Sequence, residues 1–98
     1  MTEIRRTDVF DKWLRKLRDA QARARILVRI KRLSLGNAGD VKPVGAGVSE
    51  MRIDYWPGYR IYYVKRGSEL IVLLVGGDKS SQESDIAKAI ELAEGLEG

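Results

Sequence analysis

The 98 residues of the chain include no cysteine and no histidine. The first absence excludes disulfides, thiolate metal sites and a cysteine nucleophile. The second removes the usual general base and the commonest metal ligand. Any catalysis must therefore run on Lys, Arg, Tyr, Asp, Glu or Ser. Long apolar runs are also missing: none approaches the ~20 residues of a membrane-spanning helix, and the longest, residues 70–75, has the length of a buried strand. The first residues are charged and lead straight into an amphipathic segment with no apolar signal region behind them. A soluble cytoplasmic protein with no membrane partner is expected.

A chain of this length suits a single domain spanning residues 1–98, since roughly 60–70% of the unfolded surface can be buried without a covalent staple. Its 18 basic and 14 acidic residues give a net charge of +4, unevenly spread. The first 42 residues carry 12 basic against 5 acidic groups, or +7, and the remainder 6 against 9, or −3. Such polarity fits a polyanionic or acidic partner at one end of the molecule, and equally the solvated surface of basic helices.

Residues 4–6 form a short strand candidate, and Thr7 is placed to cap a helix with Asp8 and Asp11 in its first turn. Val9, Phe10, Trp13, Leu14 and Leu17 make one apolar helical face ending near Asp19. A second helix over residues 22–35 carries Ile26, Leu27, Ile30 and Leu33 as its stripe, surrounded by arginines, and stops at Gly36 and Asn37. A glycine-rich passage follows, with a short extended piece around Val44. Residues 48–55 then alternate, with Val48, Glu50, Arg52 and Asp54 on one face and Ser49, Met51, Ile53 and Tyr55 on the other. Trp56, Pro57 and Gly58 make a turn into a tyrosine-rich strand over residues 59–66. Residues 69–75 are apolar on both faces, as in a central strand. Ser80 or Ser81 caps a last helix, with Ile86, Ala89, Ile90 and Ala93 on its apolar side and Glu83, Asp85, Glu91, Glu94 and Glu97 on its wet side. The fold class is α+β in the order βααβββα. A small antiparallel sheet has the helical hairpin packed on one face and a C-terminal helix, the other face being partly open.

Chemistry concentrates on that sheet. Glu50 and Arg52 share a face, and a tight turn brings Arg60 and Tyr62 onto the neighbouring strand within cross-strand reach, with Lys79 just beyond the third strand. The same spacing is that of a solvated salt-bridge ladder. Gly76-Gly77-Asp78-Lys79-Ser80 lacks the spacing of a phosphate loop, and the close carboxylates Glu83 and Asp85 diverge on a helix, so no nucleotide or metal site is expected. Phe10 and Trp13 read as core. Tyr59, Tyr62 and Tyr63 read either as packing residues or as surfaces for base stacking and proton transfer.

Three stretches carry a family resemblance: Thr7-Asp8-Val9-Phe10-Asp11-Lys12-Trp13-Leu14; Gly58-Tyr59-Arg60-Ile61-Tyr62-Tyr63; and Leu73-Leu74-Val75-Gly76-Gly77-Asp78-Lys79-Ser80-Ser81-Gln82 with Asp85-Ile86. The whole chain resembles the RelE/ParE superfamily of toxins from type II toxin–antitoxin systems. Within it, the likeness is to the HigB-like, phage-derived Gp49-like addiction module killer proteins. The resemblance implies a ribosome-dependent mRNA endoribonuclease that needs no metal or cofactor and inhibits translation. It is neutralised by a cognate antitoxin, in this branch a helix-turn-helix DNA-binding protein. In that chemistry Arg60 matches the phosphate-binding arginine, Lys79 a second cation and Arg52 a basic residue of the preceding strand. Relatives also carry a Tyr or His near the last helix, where this chain has Gln82, Glu83, Ser84 and Asp85. Glu50 is then the candidate base and Tyr62 the replacement aromatic, while Tyr59, Arg23, Arg29 and Arg32 are candidate RNA contacts. The alternative within the superfamily is a ParE-like toxin that inhibits DNA gyrase by binding, without catalysis.

Overall fold

A computed structural model describes residues 2–96; Glu97, expected on the wet side of the last helix, lies outside the described residues. The chain runs β1 (Glu3–Arg6), α1 (Asp8–Lys16), α2 (Ala20–Ser34), β2 (Val41–Gly45), β3 (Val48–Arg52), β4 (Arg60–Arg66) and β5 (Leu70–Gly77). A single 3₁₀ turn (Lys79–Ser81) then leads into α3 (Gln82–Gly95). The α+β class, the helical hairpin and the C-terminal helix are those expected. The sheet differs in two respects. Its strand order is β1-β5-β4-β3-β2, with β1 parallel to β5, so it is mixed rather than antiparallel. Parallel pairing needs a crossover, which the hairpin and the β2–β4 meander together supply. The extended piece around Val44 is also a complete fifth strand, paired antiparallel with β3 through an irregularity between Pro43 and Gly45.

The caps explain where the helices begin. Thr7 Oγ1 accepts from the Phe10 amide at 3.0 Å and donates to the Leu74 carbonyl at 2.6 Å, so one hydroxyl both caps α1 and ties it to β5. α1 ends at Lys16, short of Asp19, because Asp19 serves α2: its carboxylate accepts from the Gln21 and Ala22 amides at 3.0 and 3.1 Å. At the far end Ser81 occupies the N-cap position of α3 as expected but makes no side-chain capping bond; Asp78 caps the 3₁₀ turn before it, accepting from the Ser80 amide at 2.8 Å.

Both sheet faces are covered, which corrects the expectation of one partly open face. Phe10, Leu14, Ile26 and Leu33 from the hairpin pack on Met51, Ile53, Ile61, Tyr63, Ile71 and Leu73. On the opposite face, Ala89 and Ala93 of α3 pack on Val48, Tyr62, Val64, Val72, Leu74 and Val75. Small residues at these α3 positions let the helix approach the strands closely. An irregularity in the β4–β5 ladder between Tyr62 and Tyr63 sets their partners to Val75 and Leu73, leaving Leu74 as an extra residue. Leu74 and Val75 therefore face the same side, and the alternation resumes at the two glycines that end β5.

Each glycine makes room for a side chain on a different face. A Cβ at Gly76 would sit 2.1 Å from the Trp13 ring, and one at Gly77 would sit 1.8 Å from the Asp85 carboxylate. Gly76→Ala is therefore expected to cost about 2–3 kcal/mol through forced displacement of Trp13. Gly95→Ala, with open space around it, should lie within about 0.5 kcal/mol of the parent. Urea denaturation midpoints check both; equal midpoints would mean that Trp13 does not depend on the missing Cβ.

Candidate functional site

The alternation of β3 and β4 places Glu50, Arg52, Arg60 and Tyr62 on the α3 side of the sheet, with Glu50 directly opposite Tyr62 and Arg52 opposite Arg60. This is not a solvated ladder. Glu50 is 0% exposed, and its carboxylate is enclosed by donors from three elements. Oε2 accepts from Tyr62 Oη at 3.0 Å and from Gln82 Nε2 at 2.8 Å, and Oε1 accepts from Arg52 Nε at 3.2 Å. Arg60 Nε lies 3.6 Å from Oε2, an ion pair without a hydrogen bond. Burial pushes the Glu50 carboxyl upward, but the bonds from Gln82, Tyr62 and Arg52 and the charge of Arg60 outweigh it, leaving Glu50 below its ordinary value. Burial, and then the bond to Glu50, push the Tyr62 hydroxyl upward.

These facts decide what Glu50 and Tyr62 can do. A fully buried carboxylate whose proton affinity is lowered, with its lone pairs engaged, is a poor proton acceptor for a substrate outside. A buried phenol hydrogen-bonded to that carboxylate is a poor stacking surface. Neither group is placed as expected for a base or a replacement aromatic; the carboxylate instead holds two arginine side chains in place. Gln82, which is missing from the sequence-based candidates, completes the cage from the first turn of α3. No local pattern marks it, because it lies 32 positions from its partner.

The arginines lead outward to the rim. Arg52 is 36% exposed and Arg60 15% exposed in their side chains. Arg60 Nη1 also donates to the Gly58 carbonyl at 3.1 Å, fixing the guanidinium between the buried carboxylate and the β3–β4 connection. Lys79 starts from the same turn: a Cβ at Gly58 would lie 3.6 Å from Arg60 Nη1 and 3.8 Å from the Lys79 Cβ. Gly58 has φ +91°, so the turn needs glycine conformationally as well as for space. Arg52 and Arg60 thus meet at one end of the sheet, with the base of the Lys79 side chain beside the same turn. Asp78 stands near them, held below its ordinary value by its bonds from Ser80 and the Ser81 amide and by the charge of Arg60.

The expected RNA contacts lie elsewhere. Tyr59 is partly buried, edge-on to Trp13 with ring centroids 6.0 Å apart. Arg23 donates to the Leu17 carbonyl at the end of α1. Arg29 donates to the Arg52 carbonyl at 2.6 Å and the Ala38 carbonyl at 3.0 Å, so it braces the loop and strand against α2. Arg32 is exposed and lines a groove of about 330 Å³ with Arg25, Val28, Ile53 and Asp54. All three arginines stand on the hairpin side of the sheet and are not brought together with Arg60. Trp56, whose sequence context marks it only as a turn element, is 88% exposed on the β3–β4 connection, two residues before Gly58.

Residues 12–96 match the model of a family described as phage-derived protein Gp49-like (DUF891). The chain is 49% identical over 94 residues to an uncharacterized protein of Haemophilus influenzae, covering 96% of this chain and 95% of that one.

Removing the carboxylate should leave Arg60 nearly buried without its counter-ion, so Glu50→Ala is expected to cost about 3 kcal/mol, and Tyr62→Phe about 1–2 kcal/mol. The Glu50 carboxyl lies lower in the folded chain than its ordinary 4.5, so its contribution is complete above that pH and is lost as pH falls through the folded value. Stability measured by denaturation in that acid range should fall less steeply with decreasing pH in Glu50→Gln than in the parent. Identical slopes would remove the ionised carboxylate from the account.

Proposed function

We propose a function from one premise: the chain belongs to the family of phage-derived Gp49-like proteins, which is associated with toxin–antitoxin modules. In this reading it is the toxin of such a module, of the RelE/ParE superfamily and HigB-like branch, and acts as a ribosome-dependent mRNA endoribonuclease that stops translation. A cognate antitoxin, a small helix-turn-helix protein, neutralises it.

One observation carries the chemical part. Arg60 is fixed by a buried carboxylate on one side and the Gly58 carbonyl on the other, with Lys79 beside the same glycine and Arg52 on the adjacent strand. Such preorganised cations match a reaction in which charge grows on a phosphate. The RNA 2′-OH attacks the adjacent phosphorus, the bond to the 5′-oxygen breaks, and the products are a 2′,3′-cyclic phosphate and a 5′-OH. Arg60 binds the nonbridging oxygens and stabilises their charge in the transition state. Lys79 and Arg52 lie on the path of the flanking backbone. Glu50 touches no reacting atom; it keeps Arg60 and Arg52 aimed. Protons exchange with solvent at the open rim, and the ribosome supplies the alignment of the strand.

Arg60→Ala is expected to reduce mRNA cleavage about 100-fold or more, with the far-UV circular dichroism unchanged; Lys79→Ala should give a smaller loss. In vitro translation of a defined mRNA, read by primer extension, measures both. Intact mRNA during growth arrest would overturn the reading. Inhibited DNA supercoiling with translation unaffected, and toxicity indifferent to Arg60, would establish the gyrase alternative instead.

A further inference from the structure

We propose that Trp56 is a stacking platform for an unpaired base of the RNA whose phosphate lies at Arg60, so that the β3–β4 connection is a nucleotide-binding element as well as a turn. The proposal rests on the RNA-cleavage reading of the site and adds a contact that the family match does not assign.

An indole that is 88% exposed leaves a large apolar surface in water, at a position where a connection needs only a turn. The connection is also well fixed. Ile53 and Tyr59 close it with an amide-to-carbonyl bond of 2.9 Å, and the Gly58 amide donates to the Tyr55 carbonyl at 2.7 Å. Tyr55 is held in turn: its hydroxyl donates to Asp19 at 3.0 Å, and Arg25 lies 4.9 Å from its ring centroid. Trp56 therefore projects from a segment anchored on both sides, so little backbone ordering is needed when a ligand covers the ring.

The neighbours select the ligand. Trp56 sits between Arg52 and Arg60 in the chain and two residues from Gly58, against which Arg60 and Lys79 both lie. Asp54 is the one acid within the connection and lines the groove with Arg25, Arg29 and Arg32, while Asp78 is the rim acid near Arg60. Cations that follow a phosphate backbone, combined with an aromatic face for bases, are the pairing that single-stranded nucleic acid requires, because every base has a π-face and every linkage a charge. A purely apolar protein partner would gain nothing from the flanking cations.

The test uses the full chain and a short 2′-O-methyl oligoadenylate, which the proposed chemistry cannot cleave. Trp56 emission should be quenched on titration. Trp56→Phe, which leaves the partly buried Trp13 as the one tryptophan, should show no quenching of tryptophan emission. Fluorescence anisotropy of a labelled oligonucleotide should show binding weakened about tenfold in Trp56→Ala, and less in Trp56→Phe. Equal affinity of parent and Trp56→Ala, with unchanged emission, overturns the proposal; if Arg60→Ala still weakens binding in that experiment, the phosphate site itself stands. Quenching and a tenfold loss with mRNA left intact in the translation assay support the platform while overturning the cleavage reading. Toxicity that survives Trp56→Ala but escapes the cognate antitoxin, with no effect on RNA binding, overturns the proposal and assigns the indole to the protein interface.

Discussion

The buried carboxylate of Glu50 is the constraint around which the rest is arranged. An ion at zero exposure persists only if donors replace its water, and here they come from β3, β4 and the first turn of α3. That requirement fixes three relations at once. β3 and β4 must keep the register that puts Glu50 opposite Tyr62, because a slip of one residue would send Tyr62 to the hairpin side. α3 must begin close enough for Gln82 to reach across. Two arginines must turn their stems inward, which leaves them less free than surface cations. The strongest electrostatic element of the core is therefore also what gives direction to the groups at the rim.

Its stabilising value is more modest than its ordering value. Charges taken out of water regain in attraction roughly what they lose in hydration, so a buried ion pair need not outperform a well-packed apolar cluster of the same size. What distinguishes it is geometry: an apolar cluster would hold the strands together without aiming Arg60. The local rule broken here, a charged residue in the middle of a strand that faces a helix, coincides with the place where cations converge. Arg29 makes the complementary point on the hairpin side. Much of the +7 of the first 42 residues looks available for docking until Arg23 and Arg29 are found holding main-chain carbonyls.

Periodicity made much of this legible. Alternation over residues 48–55 separated Glu50 and Arg52 from Met51 and Ile53, and the helical stripes separated the hairpin's core residues from its arginines. Residues 69–75, apolar on both sides, implied a central strand covered on at least one face, and the second cover, by α3, was not expected. What stayed hidden depends on contacts between distant segments. Burial of Glu50 is decided by α3, and the Gln82 bond spans 32 positions. The parallel pairing of β1 with β5 leaves no mark on four residues at the N-terminus. The exposure of Trp56 is concealed for the opposite reason: Trp-Pro-Gly is so clear a turn signal that the aromatic reads as part of the turn.

A chain without histidine lacks the one side chain whose ordinary pKa lies near 7, so on the proposed reading its catalytic effect comes by other means. The arrangement around Glu50 answers with charge placement. Arginine stays protonated throughout the physiological range, so its usefulness depends on orientation and on exclusion of competing water rather than on a tuned pKa. Orientation is what a buried anion supplies, and a lowered carboxyl pKa, unwelcome in a general base, is what an orienting anion needs, since it must remain charged whenever the arginines are to be held. The same feature that disqualifies Glu50 from moving a proton thus qualifies it to hold Arg60. The missing histidine and the buried glutamate are, on this argument, two aspects of one electrostatic solution.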